Sequence, residues 1–163
     1  MNEWFRPFPD RGADVQNCCG SHYPFGNHFI WENIVTRQAD GVHVNLLFTR
    51  DTPWCKVVSE LPDRGLVTVT MRGESPLQVR VPDWADRRQV EVRVGKRRVE
   101  PSWKDGFVTL RGLKETATVQ VEFPLRRERR KESFMGHDVE VEWLGDTVVG
   151  VSPGGTVLPL FKS

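Results

Sequence analysis

The sequence predicts a mainly β protein, an antiparallel β-sandwich that is preceded by an irregular arm and one short helix. From Val42 onward, apolar and polar residues alternate in short runs, which is the pattern of half-buried strands. Turn signals such as Asp63–Gly65 separate the runs, and no helical pattern lies between them. Many short strands without intervening helices favour a sandwich over a fold in which strands and helices alternate.

The N-terminal segment is predicted in two parts. Residues Met1–Asn17 hold aromatic residues and prolines without a regular period, which predicts an irregular arm that lies on an apolar surface. A helix is predicted over about Pro24–Thr36, with Ser21 or Asn27 as its N-cap and Gly41 as a stop signal. Its apolar residues recur near the helical period: Phe25, Phe29, Ile30 and Ile34.

The strand pattern fills residues 41–163, which we assign to a C-terminal β-sandwich domain, while residues 1–40 hold the arm and the helix. The predicted strands are Val42–Phe48, Lys56–Leu61, Leu66–Arg72, Leu77–Val81, Val90–Val94, Phe107–Leu110, Thr118–Phe123, Val139–Trp143 and Thr147–Val151. Val79 and Val81 are predicted to face the core, and Arg80 between them to face solvent. The charged run 126–132 predicts a solvated edge strand or turn that is protected by its charge.

Composition and charge exclude several classes of partner. The formal net charge is +1 and the signs are interspersed, so we expect no nucleic-acid partner and no acidic membrane surface. No apolar run reaches the roughly 20 residues of a membrane helix, and Met1–Gln16 lacks the apolar core of a signal peptide.

Of the three cysteines, two are neighbours in sequence, which argues against a disulfide framework. We therefore expect reduced thiols and a cytoplasmic location.

Two adjacent thiols, Cys18 and Cys19, carry the strongest chemical signal. A thiolate is a nucleophile and a soft metal ligand, and adjacent cysteines can both reach one Zn²⁺ ion in a suitable backbone geometry. A tetrahedral site needs two further ligands, for which His22 and His28 are the nearest candidates. No C-x-x-C spacing is present, so plain burial of both thiols stays open as an alternative. Cys55 is predicted to be a small buried hydrophobic residue.

Other candidate groups carry weaker signals. Glu32 is a carboxyl group on the predicted helix, but its spacing does not require it to face the thiols. Four tryptophans at predicted strand ends or turns could stack on sugar rings, and core packing explains them as well: Trp54, Trp84, Trp103 and Trp143. No phosphate-binding glycine loop or dinucleotide fingerprint is present, and Gly145, Gly150, Gly154 and Gly155 lie among strand residues, so they are interpreted as turn residues rather than as part of a serine nucleophile elbow.

Several runs resemble, in the same order, the C-terminal part of glycoside hydrolase family 127, the β-L-arabinofuranosidase-like proteins. The runs that carry the resemblance are Asn17–His22, Trp31–Arg37, Val44–Phe48, Val79–Trp84, Val119–Leu125, Trp143–Val149 and Leu158–Leu160. Val79–Trp84 is similar to the family's R-I-P-x-W strand, and Val119–Leu125 to its late sandwich strand. Gly20–Pro24 differs from the Pro-Pro-Asn continuation that is common in the family.

The resemblance implies an (α/α)₆ barrel that carries the active site and is followed by β-sandwich domains. It implies that Cys18 is the nucleophile of a retaining reaction with a thioglycosyl intermediate, and that Cys18 and Cys19 bind a zinc ion. A glutamate and a third cysteine from the barrel would complete the zinc site, and another barrel glutamate would be the acid/base. None of these has a counterpart in Met1–Asn17. The predicted helix would be the last helix of the barrel.

The leading hypothesis is a C-terminal portion of such a glycoside hydrolase, inactive alone because two zinc ligands and the proton donor are absent. Its partners would be the missing barrel domain or another copy of the chain, together with the glycan substrate of the parent enzyme. The alternative is an autonomous β-sandwich module that binds a glycan or a protein. A third reading is a small zinc-stabilised protein that uses the two thiols, His22 and His28.

Overall fold

The computed structural model describes the backbone of residues 17–134 and 137–154 and the side chains of residues 24–133 and 138–154. Within these ranges the chain forms one α-helix and fourteen strands. The predicted arm lies outside the described residues, apart from Asn17, where the helix begins. No helix in this part of the chain combines the length and the apolar character that crossing a bilayer requires.

The helix α1 spans Asn17–Asn33. The strands follow in chain order: β1 Val35–Gln38, β2 Gly41–Val44, β3 Arg50–Asp51, β4 Cys55–Ser59, β5 Leu66–Met71, β6 Leu77–Arg80, β7 Glu91–Val94, β8 Arg97–Val99, β9 Ser102–Lys104, β10 Phe107–Leu110, β11 Thr118–Glu122, β12 Arg127–Phe134, β13 His137–Leu144 and β14 Thr147–Ser152. A short 3₁₀ turn, Arg87–Gln89, precedes β7 and is capped by the side chain of Asp86.

Two sheets enclose the core. The first has the strand order β1-β2-β6-β10-β9, and the second has the order β3-β4-β5-β11-β7-β8. Within these two sheets the paired strands are antiparallel, except that β2 runs parallel to β6. Alternate side chains of both sheets are buried in one cluster, which includes Val44, Val69, Val79, Val108 and Val121. The predicted sandwich is confirmed, and so is the alternation of buried Val79 and Val81 with exposed Arg80.

Strands β12, β13 and β14 form a third, three-stranded sheet. The charged run that predicted an edge strand lies largely in β12, which pairs with β13 at the edge of this sheet. Ion pairs along and across the sheet neutralise its arginines: Arg126 and Arg130 with Glu128, Arg127 with Glu142, and Arg129 with Glu140. This arrangement is a charged edge that resists pairing with another chain.

The helix differs from its prediction at both ends. It begins at Asn17 rather than at Pro24, so Ser21 and Asn27 lie inside the helix and are not caps. It ends at Asn33, because the next residues form β1, which pairs with β2 from Val35 to Gln38. Ile34 and Val35 are each 3% exposed in the core. Burial of these β-branched side chains in a sheet outweighs the helical spacing that the sequence shows.

The remaining differences concern strand ends and strands at the edges of sheets. The strand predicted over Val42–Phe48 ends at Val44, and the backbone amide of the next residue, Asn45, donates to the carbonyl of Ile34 at 2.9 Å. Strands β1, β3, β8 and β9 were not predicted, and each of them is an outermost strand of its sheet. Edge strands are solvated along one side and carry few buried side chains, so they show little apolar alternation.

Candidate functional site

The predicted thiol site lies at the beginning of α1. The backbones of Cys18 and Cys19 are helical, as is that of His22 one turn later, while the side chains of all three residues lie outside the described ones. His28 is exposed on the same helix. Among the side chains that the structure describes, no group of three or more His, Cys, Asp or Glu could hold a metal ion. The zinc-binding role of both thiols and the nucleophilic role of Cys18 therefore stay predictions.

The surface of α1 is unusually apolar for a solvent-facing helix. Phe25 is 71% exposed, Phe29 64%, and Ile30 and Trp31 are each 48% exposed. A surface helix of a globular protein normally turns its apolar side chains toward a core. Four large apolar side chains exposed over about two helical turns indicate a surface that another part of a protein covers.

Asn45 attaches the C-terminal end of α1 to the first sheet. Its side-chain Nδ2 donates to the carbonyl of Asn33 and to the hydroxyl of Thr36, each at 3.0 Å. The first of these bonds satisfies a carbonyl that the end of a helix leaves without an intrahelical partner. Asn33 in turn donates from its side chain to the carbonyl of Phe29 at 2.8 Å. The orientation of the helix end is therefore fixed by hydrogen bonds to the sandwich.

Arg50, the first residue of β3, holds α1 from the second sheet. The carbon atom of its guanidinium group lies 3.8 Å from the centroid of the Trp31 ring, within the range of a cation–π contact. Its Nη2 lies 3.8 Å from Oε1 of Glu32, so the carboxyl group considered for acid/base work is in an ion pair. The side chain of Arg50 is 20% exposed, which limits solvent screening of both contacts. We call Asn45 and Arg50 the helix clamp.

Sequence reasoning did not identify the helix clamp. Asn45 lies inside the strand predicted over Val42–Phe48, and Arg50 lies two residues beyond its predicted end. The available signal was that Asn45 and Arg50, whose side chains can each donate several hydrogen bonds, follow shortly after the predicted helix. Their contacts with α1 depend on how the sheets fold back on the helix, which no local pattern encodes.

The four tryptophans considered for sugar stacking are all partly buried. Trp54, Trp84 and Trp103 pack against the sandwich core, as core packing predicts. Trp143 lies in β13, with the guanidinium carbon of Arg130 6.0 Å from its ring centroid. Trp84 differs from the others because it also lines a groove.

This groove has a volume of about 710 Å³ and is formed by four loops. They follow β2, β4 and β6 and connect β13 to β14. Its apolar side chains include Leu46, Phe48 and Trp84, and its charged ones are Arg80, Asp83 and Asp146. We call it the sandwich groove. Of these six, sequence reasoning considered only Trp84 as a possible ligand-binding residue, because the loops are far apart in the chain.

A second depression, of about 570 Å³, lies beside the loop that follows β11. Four of its five charged side chains form ion pairs with one another. Arg64 donates to Glu122 at 2.6 Å, and Arg93 lies 3.1 Å from Glu91. A ligand would have to displace these internal ion pairs, which makes the depression a weaker candidate than the sandwich groove.

A polar network covers the solvent side of the first sheet. His43 of β2 and Gln78 of β6 are directly opposite in the sheet and are 8% and 5% exposed. Asp40 lies 2.8 Å from Nε2 of His43 and accepts from Nε2 of Gln78 at 2.9 Å. These hydrogen bonds, first that of His43 and then that of Gln78, lower the pKa of Asp40. The network stabilises the turn between β1 and β2.

Cys55 lies in the core, as predicted, with no exposed surface. It is a free thiol, and burial raises its pKa above the ordinary value. A protonated, buried thiol is a poor nucleophile and a poor ligand. The described structure therefore gives Cys55 a packing role.

Several solved structures share the fold of this chain. A GH127 β-L-arabinofuranosidase from Geobacillus stearothermophilus T6 has a TM-score of 0.60 and 21% sequence identity, over 80% of this chain and 23% of that chain. A protein described as a glycoside hydrolase has a TM-score of 0.65 and 18% identity, over 82% of this chain and 25% of that chain. A GH127 β-arabinofuranosidase has a TM-score of 0.52 and 20% identity, over 71% and 23% of the two chains.

These similarities confirm, at the level of the fold, the resemblance that the sequence runs indicate. The chain spans about a quarter of the length of the solved chains that it matches. Neither the comparison with protein-family models nor the comparison with curated proteins gives a match.

Proposed function

We propose that this chain is the C-terminal part of a retaining glycoside hydrolase similar to β-L-arabinofuranosidases, and that it is inactive alone. The observation that supports this most is the unequal coverage in the structural comparison. Between 71% and 82% of this chain aligns with proteins of that kind, yet the alignment covers only 23% to 25% of their length. In such an enzyme, most of the polypeptide lies outside the portion that corresponds to this chain.

The exposed side chains of α1 support the same proposal. Phe25 and Phe29 would leave solvent if a barrel domain packed against the helix, and burial of apolar area stabilises such a contact by roughly 25 cal/mol per Å². The helix clamp would then orient α1 relative to the sandwich. The proposed partner of this surface is the missing barrel domain, or another copy of the chain.

In the proposed enzyme, the Cys18 thiolate attacks the anomeric carbon of the sugar and displaces the leaving-group oxygen, which takes its proton from a donor in the missing domain, and water then displaces the thiolate. Cys18 and Cys19 together supply half of a tetrahedral donor set. A zinc ion, when bound, keeps these thiols deprotonated at neutral pH. The described residues offer no group of three donors, so we expect the other two ligands and the proton donor to come from the missing domain. Hydrolysis by the chain alone is therefore not expected.

The test begins with the DNA upstream of the first codon. We expect it, or a separate reading frame, to encode a polypeptide with the helical pattern of an α/α barrel. Coexpression of that polypeptide with this chain should give hydrolysis of an arabinofuranoside model substrate, which neither polypeptide gives alone. Cys18→Ser should abolish the activity, whereas Cys55→Ala, which removes a thiol from the core, should leave most of it. Hydrolysis by the chain alone, or full activity with Cys18→Ser, would contradict the proposal.

An autonomous binding module is the second candidate, and the completeness of the sandwich core favours it. Core side chains such as Val44, Val69 and Val108 have no exposed surface, although they receive no cover from a further domain. A module of this kind would bind a glycan or a protein without the barrel. Titration of the full chain with neutral glycans tests the glycan version, and the coexpression assay separates the two candidates, since an autonomous binding module gives no hydrolysis with a barrel polypeptide.

We also propose a reducing, cytoplasmic setting. The adjacent thiols and the free thiol of Cys55 support it, because secreted proteins of this size commonly use their cysteines in disulfides. Labelling of thiols in freshly lysed cells tests it, and a disulfide between any two of the three cysteines would argue against it.

A further inference from the structure

We infer that the sandwich groove is a binding site for a short neutral oligosaccharide. The groove lies in the sandwich and takes no part in the proposed thiol chemistry, so the inference goes beyond the proposed hydrolase function. Its volume of about 710 Å³ falls within the range of about 300–1,000 Å³ that is typical of small-molecule sites. Four loops that end on paired strands form it, which keeps its walls in place without a ligand.

The apolar part of the groove has a fixed aromatic base. The Trp84 ring is held edge-to-face against Phe123, with 5.6 Å between the ring centroids. Gly145 lies so close to the Trp84 indole that a Cβ atom at this position would be 2.7 Å from the ring. Phe48, in contrast, is 57% exposed at the groove. A sugar ring presents apolar C–H groups that pack on surfaces of this kind.

The charged part of the groove disfavours an anionic ligand. Arg80, Asp83 and Asp146 are exposed, and within the described part of the chain none of them forms an ion pair, unlike Arg64 and Arg93 of the second depression. Two carboxylates and one guanidinium group give the set a net charge of −1, which repels an anion. Sugar hydroxyls donate to carboxylates and accept from guanidinium. A neutral polyhydroxyl ligand can therefore form hydrogen bonds with groups of both signs.

The experiment is calorimetric titration of the full chain with three trisaccharides. Arabinotriose and xylotriose are the neutral probes, and trigalacturonic acid is the anionic probe. We expect at least one neutral trimer to bind, and trigalacturonic acid to bind about tenfold more weakly or not at all. The chain needs neither zinc nor a barrel domain for this binding.

Two variants locate the binding. Phe48→Ala should weaken binding of the neutral trimer about tenfold, whereas Val58→Ala, which also truncates an exposed apolar side chain, should leave it unchanged. The double variant Asp83→Asn and Asp146→Asn leaves Arg80 as the charged group of the set. It should weaken neutral binding and increase the affinity for trigalacturonic acid. Glu100→Gln removes an exposed carboxylate elsewhere and should change neither affinity.

The outcomes are decisive in both directions. Absence of binding of both neutral trimers at millimolar concentration overturns the inference, as does equal binding of the neutral trimers and trigalacturonic acid. If Phe48→Ala and the double aspartate variant both leave the affinity unchanged, the sugar binds elsewhere, and this result also overturns the inference. None of these results bears on hydrolysis by a complex with the barrel polypeptide, so the two proposals fail separately.

Discussion

The sandwich and α1 both contain many apolar residues, and they place them in opposite environments. Val69 and Leu77 of the two facing sheets have no exposed surface, whereas Phe25 and Phe29 of the helix are more than half exposed. Each sheet supplies the other with an apolar face, whereas the described side chains of α1 are not part of that core, which begins at Ile34, the residue after the helix. The difference indicates that the two sheets bury each other's apolar faces, whereas the helix presents an apolar surface that another polypeptide could cover.

The largest expected effect is the difference in the free energy of unfolding between shortening a side chain of the core and shortening a side chain of α1. Leu77→Ala should lower the free energy of unfolding by about 2–5 kcal/mol, because it removes a fully buried side chain and leaves a cavity. Phe25→Ala should change it by less than about 0.5 kcal/mol, since this side chain has little contact to lose. Urea unfolding followed by circular dichroism measures both. Similar losses would break the comparison and mean that α1 is packed in the free chain.

The next effect concerns how the third sheet joins the sandwich. Gly145 and Gly112 both have left-handed backbones, with φ of +63° and +67°. An alanine in that conformation is strained and lowers the free energy of unfolding at either site. Only at position 145, however, would its Cβ atom also lie 2.7 Å from the Trp84 ring. We expect Gly145→Ala to cost about 1–3 kcal/mol more than Gly112→Ala in thermal or urea unfolding. Equal costs would mean that the ring moves aside without loss.

A smaller effect tests the helix clamp. Arg50→Gln removes the cation–π contact with Trp31 and the ion pair with Glu32. We expect a loss of about 0.5–1 kcal/mol, and faster hydrogen exchange at the C-terminal end of α1. Arg37→Gln, which removes an exposed arginine of β1, serves as the control and should change neither quantity. Unchanged exchange in Arg50→Gln would mean that the Asn45 hydrogen bonds alone orient the helix.

The smallest effect is the pH-dependent contribution of Asp40 to the free energy of unfolding. It tests whether the polar network on the solvent side of the sandwich adds to the stability that the core provides. A pKa of Asp40 below its ordinary 3.8 means that the folded state favours the carboxylate. Asp40 therefore stabilises the fold at pH values above 3.8, and this contribution is lost as the pH falls through the lower folded pKa. Asp40→Asn should be less stable than the unaltered chain at neutral pH, and the difference should shrink in acid. Asp63→Asn is the control, and a difference that is independent of pH would contradict the assignment.

How much the sequence predicted depends on where a residue lies in the sheets. The inner strands, such as Leu66–Met71 and Thr118–Glu122, were predicted nearly to the residue, because both bury alternate side chains. The outermost strands of the two core sheets, β1, β3, β8 and β9, lack that alternation and were missed. The helix was predicted too far toward the C-terminus because Ile34, whose spacing suggested a helix, is buried in the core just before β1.

The candidate sites show the same division. The thiol pair is a contiguous signal, so the sequence identifies it directly, although its chemistry is still a prediction. The sandwich groove combines Phe48, Asp83 and Asp146, which are far apart in the chain and belong to no motif. No reasoning from local periodicity brings these loops together.

The sequence by itself determined the sandwich class, the buried faces of its inner strands and a likeness to GH127 proteins, because alternation and short motifs are local properties. The tertiary structure decided which loops meet and which apolar surface stays open. The parallel pairing of β2 with β6 places Val42 beside Leu77, and such pairings set the convergence of the groove loops. Exposure of α1 follows for the same physical reason, since a side chain is buried only where another part of the fold reaches it.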